Sequence, residues 1–221
     1  MKRITEPQLM DDPEQALAYG RADFEEPHSN FIMLLMRYCP LPGRMPRVLD
    51  MGCGTGDKTF RVGKEFADSV IDAVDGSAAM LFYANEGLER KPEFRGRIHF
   101  LRSNIQEFVP HRLYDLIVSN SLLHHIPDPA DFWCAVKRLS VPGTRVFVMD
   151  LMRPGTDEEA WRLVETYSTD EPDILKRDFY NSLLAAFEID EVKRQLEEAG
   201  LGGFQVEQAS DRHLVVYGIR D

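Results

Sequence analysis

Arg47-Val48-Leu49-Asp50-Met51-Gly52-Cys53-Gly54-Thr55-Gly56-Asp57 is the stretch whose reading decides the fold of this chain. Val48 to Met51 is a short β-favouring run bounded by turn residues, and it reads as a buried strand. Glycines alternate at 52, 54 and 56. A residue without a side chain permits a tight turn and lets backbone come close to a ligand. Phe60, Lys64 and Ala67 follow at turn spacing and predict a helix. Strand, glycine turn and helix together open a nucleotide-binding βαβ unit whose helix N-terminus faces the ligand.

The spacing narrows the ligand. A dinucleotide fingerprint is G-x-G-x-x-G. Here the third glycine comes one residue early and Asp57 follows it. Asp50 and Asp57 would repel an anion and suit a cationic ligand. The run Ser69-Val70-Ile71-Asp72-Ala73-Val74-Asp75 predicts a second strand that ends in an acid. A carboxylate there can accept hydrogen bonds from both hydroxyls of a ribose.

With these residues in hand, the sequence resembles the class I S-adenosylmethionine (SAM)-dependent methyltransferases. The resemblance rests on Val48 to Gly56 and on Val74-Asp75-Gly76-Ser77-Ala78-Ala79-Met80. It continues through Tyr114-Asp115-Leu116-Ile117-Val118-Ser119, Leu122-Leu123-His124-His125-Ile126 and Pro142-Gly143-Thr144-Arg145-Val146-Phe147-Val148. These runs stand in the family's order over roughly residues 45 to 150. The tail from Ala186 to Leu201 looks like the small-molecule branch, including the quinone-biosynthesis enzymes.

The resemblance implies an α/β fold, a Rossmann-like doubly wound sheet of seven strands. The sheet is expected to be mostly parallel with a C-terminal antiparallel hairpin, with N-terminal helices and a helical insertion after the fifth strand. A single domain is expected: a helical cap over 1–46, a SAM-binding core over 47–151, a lid over 152–187, and a helix and hairpin over 188–221. The cofactor implied is SAM, with S-adenosylhomocysteine (SAH) as product. Asp50, Gly52, Cys53, Gly54 and Gly56 would hold it from the first turn, and Asp75, Gly76, Ser77 and Met80 from the second. Asn104 and Ile105 stand where the family reads the adenine edge, although Asn104 also suits a plain turn. Ser119 and Asn120 leave the fourth strand at its carboxyl end, where α/β sheets place ligands.

Composition sets the outer limits. The chain has 221 residues, a size that suits one α/β domain with a sizeable core. A net charge of −11 argues against a broad nucleic-acid face, which needs clustered Lys and Arg. Cys39, Cys53 and Cys134 lie far apart without C-x-x-C spacing, which fits reduced thiols and gives no zinc signature. No apolar run reaches 18 residues and no signal-peptide pattern is present. A soluble, cytoplasmic protein is expected, with a small-molecule substrate, no nucleic acid and no membrane as partner; a homodimer stays open.

Residues 1 to 12 are polar and read as mobile. Asp12 and Pro13 mark the start of a helix that runs towards Phe24. A second helix is expected after Pro27, and Pro40 to Pro46 must be a connection. In the resembling family such helices close over the SAM pocket, with Tyr19, Arg21 and Asp23 as polar candidates or as plain surface residues. Lys91 to Gly96 reads as a charged loop. Trp161, Val164 and Tyr167, then Leu175, Phe179 and Leu183, predict two helices parted near Thr169 to Pro172. Trp161, Tyr167, Phe179 and Tyr180 beside Arg153, Arg162, Lys176 and Arg177 suit a pocket for a planar or anionic small molecule, or simply the inner faces of two packed helices.

Methyl transfer is an in-line displacement with a neutral thioether as leaving group, so positioning and desolvation supply much of the rate. His124, His125 and Asp150 are the candidate catalytic residues. Neighbours on a strand or helix point apart, so the two histidines are not expected to chelate one metal, and no H-x-x-x-H spacing exists. Two readings stand: one histidine serves as base while the other packs, or both are structural. Asp150 reads as a base, a substrate anchor or the partner of Arg153. Asp211, Arg212 and His213 read as stabilisers of the final turn. Ser119-Asn120-Ser121-Leu122 stands in place of the Asn-Pro-Pro-Tyr of amino methyltransferases acting on DNA bases and glutamine. Two rival readings are a methyltransferase of protein or RNA, and a non-catalytic SAM-binding regulator.

Overall fold

A computed structural model of the chain describes residues 1–22, 24–40, 46–110 and 112–221. Strand β1 (Arg47–Met51) runs through the middle of a seven-stranded sheet. Strand β2 (Val70–Asp75) and strand β4 (Leu116–Asn120) flank it in parallel, with β3 (Ile98–Arg102) outside β2 and β5 (Arg145–Leu151) outside β4. Strand β7 (His213–Ile219) pairs antiparallel with β5 and with β6 (Gln205–Gln208), giving the order β3-β2-β1-β4-β5-β7-β6. The chain leaves β1 in one direction and β4 in the other, which opens a crevice at their carboxyl ends.

Alternation along the strands fills two layers. Val48, Ile71, Leu116, Val118 and Phe147 face helices α2 (Glu25–Tyr38) and α3 (Asp57–Glu65), meeting Phe31, Leu35 and Val62. Helix α4 (Ala78–Glu89) joins that layer through Leu81 and Ala84 against Ala73. Leu49, Met51, Ile117 and Val148 face the opposite way, onto Phe132, Trp133 and Val136 of α5 (Pro129–Leu139) and Val192 and Leu196 of α8 (Ile189–Glu198). Helices α6 (Asp157–Tyr167) and α7 (Asp173–Ala185) pack on Leu151 at the end of β5. Helix α1 (Pro13–Arg21) touches α4 and α7.

Local chemistry sets the boundaries. Asp12, Ser77, Asp128 and Thr156 each accept a backbone N–H of the helix they cap. Helix α2 begins at Glu25, two residues before Pro27 rather than after it, because the first helical turn has no use for the missing proline N–H. The expected loop over Lys91 to Gly96 contains a 3-10 turn, Pro92–Phe94, that buries Phe94. Asp23 and most of the expected 40–46 connection lie outside the described residues.

The first twelve residues differ most from expectation. They are docked across the carboxyl edge of the sheet. Ile4 N donates to Leu184 O at 3.0 Å. The Arg3 guanidinium donates to the carbonyls of Ala185, Pro127, His124 and Ile126 and lies over the Phe187 ring at 3.9 Å. Polarity suggested mobility, but this arginine satisfies carbonyls freed at the ends of α7 and of a 3-10 turn. Among the described residues no helix is long and apolar enough to cross a membrane.

Candidate active site

The crevice is a cavity of about 570 Å³ over the carboxyl ends of β1, β2, β4 and β5. The glycine turn forms its floor. Gly52, Gly54 and Gly56 all adopt positive φ, at 76°, 54° and 83°. Their surroundings separate their roles. A Cβ on Gly54 would meet nothing within 4 Å, so this residue turns its open side to the cavity. A Cβ on Gly56 would come within 2.7 Å of the Phe100 ring, so this glycine serves close packing behind the turn.

Asp75 closes β2 beside that floor. Its Oδ2 accepts the Gly54 N–H and its Oδ1 the Ser77 N–H, both at 2.8 Å. A carboxylate offers about four lone-pair sites, so both oxygens keep capacity for a further donor such as a ribose diol. Burial pushes the Asp75 carboxyl up, against the pull of those two N–H groups. On the far side of the turn Lys58 reaches into the cavity, its ammonium held down by burial. Its Nζ lies 3.5 Å from His28 Nε2, and His28 Nδ1 meets Asp57 Oδ2 at 2.7 Å. Burial, then the nearby Lys58 charge, lowers His28 to about 4, so the ring is neutral near pH 7. Arg61 Nε also donates to Asp57 Oδ2, at 2.7 Å, which compensates that acid.

The opposite wall is a 3-10 turn, Leu123–His125. His124 and His125 are both buried, with ring centroids 4.3 Å apart. Asp150, at the end of β5, places Oδ1 2.5 Å from His124 Nδ1 and accepts the N–H groups of Leu123 and Leu151 at 2.7 Å. Burial opposes both charges, but the neighbouring partner outweighs it: His124 is raised and Asp150 is lowered. His125 is pushed down to about 3 by burial and by His124 beside it. Glu6 Oε1 completes the cluster, 3.4 Å from His124 Nε2 and 3.2 Å from His125 Nδ1, with Ser182 Oγ donating to it at 2.9 Å.

Of the residues expected to meet the cofactor, Tyr19, Gly52, Cys53, Gly54, Asp75, Gly76, Met80, Asn104, Ile105 and Asn120 all line this one cavity. Asp50, Gly56, Ser77 and Ser119 stand behind its wall. Asp50 accepts the Thr59 hydroxyl at 2.6 Å, Ser119 donates to Met51 O at 2.9 Å, and Ser77 caps α4. Asn104 Oδ1 lies where a Cβ on Gly76 would come within 2.7 Å, so that glycine admits the amide. His124 and His125 line the cavity, while Asp150 reaches it through His124.

Other expectations are corrected. Arg153 does not pair with Asp150; it donates to Glu188 and Glu191 at 2.8 and 2.9 Å and to Ala186 O. The final turn is more than a stabiliser, because Arg212 and His213 line the cavity, with the Arg212 guanidinium 3.3 Å over the Tyr167 ring. Within the 152–187 segment, Tyr167, Leu175 and Phe179 face the cavity, whereas Trp161 and Tyr180 stack on each other at 4.2 Å away from it. The sequence reading missed Glu6, His28 and Lys58, and gave Arg212 only a role in the final turn. Lys58 directly follows the glycine turn and could have been found there. Glu6 carries no local signal.

The strand order, the glycine turn and the acid that ends β2 give the chain the Rossmann-like fold seen in class I SAM-dependent methyltransferases. The family model described as "Methyltransferase domain" matches residues 49–146. A tRNA1(Val) (adenine(37)-N6)-methyltransferase from Dyadobacter fermentans is 39% identical over 74 residues, covering 34% of this chain and 30% of the relative. A trans-aconitate 2-methyltransferase from Streptomyces coelicolor is 30% identical over 142 residues, covering 60% of this chain and 46% of the relative. This chain thus spans less than half the length of either relative. The solved plantazolicin methyltransferase BpumL, in complex with a triazolic desmethylPZN analog and SAH, shares the fold. Its TM-score is 0.71 at 15% identity, over 95% of this chain and 92% of that one.

The cofactor of such a domain is SAM, and the residues present fit it. Asp75 keeps lone pairs for a ribose, Gly54 leaves the floor open, and Met80 and Ile105 offer apolar contact for a flat base.

Proposed function

We propose that this chain transfers a methyl group from SAM to a small-molecule acceptor. The observation that carries the reading is the continuity of one cavity from Asp75 and Gly54 to His124 and His125. SAM seated on the glycine turn would direct its sulfonium methyl along that cavity, towards the histidines. Lys58 is placed to meet the methionyl carboxylate. Asp150 fixes the His124 ring through Nδ1, which leaves Nε2 as the atom facing Glu6. His124, His125 and Asp150 then form the acceptor side of the site.

The acceptor is a planar or anionic small molecule. Tyr167, Leu175 and Phe179 supply apolar wall, and Arg212 supplies a cation. The relative named for trans-aconitate acts, by that name, on a carboxylic acid, and Arg212, which also pairs with Asp211 and Glu26, is the cation that would meet one. In this reading the segment over residues 152–187 is the substrate lid and residues 1–46 the cap. The net charge of −11 disfavours an extended phosphate backbone as partner, and three free thiols suit a reducing cytoplasm. Sedimentation distinguishes a monomer from a homodimer.

Calorimetric titration with SAM tests the cofactor half: wild type binds, and Asp75→Ala weakens binding by about 1.5–3 kcal/mol, the range for a charge-assisted hydrogen bond. Mass spectrometry of the chain incubated with SAM and a library of carboxylic acids and phenols tests the other half. Unchanged SAM affinity in Asp75→Ala would remove that residue from the site. Transfer to RNA or protein but to no small molecule would overturn the acceptor class.

A further inference from the structure

We propose that Glu6, His124 and His125 form a binding site for a divalent transition-metal ion at the acceptor end of the cavity. Each side chain offers one ligand atom, and the three atoms lie within 4.8 Å of one another; Glu6 Oε1 faces His124 Nε2 and His125 Nδ1. Neighbouring residues rarely converge, but a 3-10 turn of three residues carries this pair, and their rings tilt by only 34°.

The separations favour an ion between the groups over direct hydrogen bonds. Glu6 Oε1 stands 3.4 Å from His124 Nε2 and 3.2 Å from His125 Nδ1. Charge-assisted hydrogen bonds close to about 2.7–2.9 Å. Zinc–nitrogen and zinc–oxygen bonds of about 2.0–2.1 Å at tetrahedral angles hold ligand atoms about 3.3–3.4 Å apart. His125 Nδ1 also lies 3.4 Å from Pro7 O, a long hydrogen bond whose proton a bound ion would displace.

The surrounding contacts are those a metal site uses. A ligating histidine characteristically gives its other ring nitrogen to a carboxylate, which fixes the ring. His124 Nδ1 meets Asp150 in this way, and Asp150 is itself held by the N–H groups of Leu123 and Leu151. Ser182 holds Glu6. Glu6 and Asp150 supply two negative charges, and the nearby Arg3 cation is engaged by backbone carbonyls. Two imidazoles and one carboxylate suit zinc, iron(II), cobalt or manganese rather than magnesium or calcium, which take oxygen ligands. The histidines line the cavity, so the remaining coordination positions open towards an acceptor oxygen. The site's use in acceptor binding rests on the methyl-transfer reading; ion binding itself does not.

The test uses the full chain stripped with a chelator. Zinc titration by calorimetry should show one ion per chain, and cobalt(II) should give visible bands of nitrogen and oxygen ligation. Glu6→Gln and His125→Ala should each weaken zinc by about tenfold or more, and Asp150→Asn, one step removed, by about tenfold. Cooperative melting and SAM titration of the metal-free variants confirm that they fold. The proposal is overturned if no stoichiometric ion binds, or if both ligand variants bind zinc as wild type does. Thiolate-to-cobalt charge-transfer bands in the wild-type chain, which would place the ion on a cysteine, overturn it without any variant. SAM binding and methyl transfer are read separately, so failure here leaves those measurements standing.

Discussion

The imidazole of His124 and the carboxylate of Asp150 meet at 2.5 Å, although 26 residues separate them in sequence. Both side chains are only 2% exposed. A pair taken this far out of water is costly to break, because the surviving partner keeps its charge without its counter-charge. Asp150→Ala should lower unfolding stability by about 3–5 kcal/mol. It should also reduce turnover beyond what loss of folded protein explains, since the ring loses the group that orients it. Denaturant melts combined with kcat normalised to folded protein check this; an Asp150→Ala chain as stable as wild type would contradict it.

Gly54 and Gly56 should respond differently to the same substitution. Gly54→Val places its branched side chain in open cavity and should leave a domain that still folds, weakened by about 1–3 kcal/mol of positive-φ strain, but no longer binds SAM. Gly56→Val drives a Cβ into Phe100 at 2.7 Å and should destabilise the fold by about 2–4 kcal/mol, from overpacking and positive-φ strain together. Circular dichroism melts beside SAM titrations separate the two outcomes. Normal SAM binding by Gly54→Val would mean that the turn does not face the cofactor.

The aromatics of the 152–187 segment divide by the side they face. Phe179 lines the cavity, so Phe179→Ala should lower kcat/KM for the acceptor by about tenfold or more while SAM affinity holds. Trp161, 47% exposed and stacked on Tyr180, should cost no more than about 1 kcal/mol of stability as Trp161→Ala and leave the acceptor constants alone. Steady-state kinetics on any acceptor found by the library screen decides; equal effects of the two substitutions would remove the lid reading.

His213 gives a pH prediction. Burial, then the charge of Arg212, lowers this ring from 6.5 to about 4 in the folded chain. A depressed histidine contributes stability that is full above the unfolded value and is lost as pH falls towards the folded one. Between pH 6.5 and 4 the wild-type chain should therefore lose about 2–3 kcal/mol that His213→Gln does not lose. Comparing both chains at each pH cancels shared groups, including Asp50, whose carboxyl is pushed up to about 6 by burial and acts in the opposite sense. Parallel stability curves for the two chains would show that His213 titrates normally.

The core of the fold was legible because its signals are local. Glycine spacing, an acid ending the next strand and apolar runs between them depend on neighbours a few residues apart. The first two strands, the N-cap at Asp12 and the closing hairpin followed from the same short-range rules. The long-range side-chain pairings were not legible. Arg153 took Glu188 and Glu191 instead of Asp150, because its choice depended on where α8 begins relative to β5.

By itself, then, the sequence determined the strand–glycine turn–helix unit, the acid of β2 and the apolar runs that bury the central strands. Each follows from backbone sterics and hydrophobic periodicity, which act over one or two turns of chain. Only the tertiary structure decided that residues 1–12 lie across the carboxyl edge, that Glu6 reaches His124 and His125, and that Arg212 enters the cavity from the last hairpin. Those contacts join residues more than a hundred positions apart through single side chains. They leave no periodic trace in the chain, and they exist because docking supplies charged groups with the partners that water otherwise would.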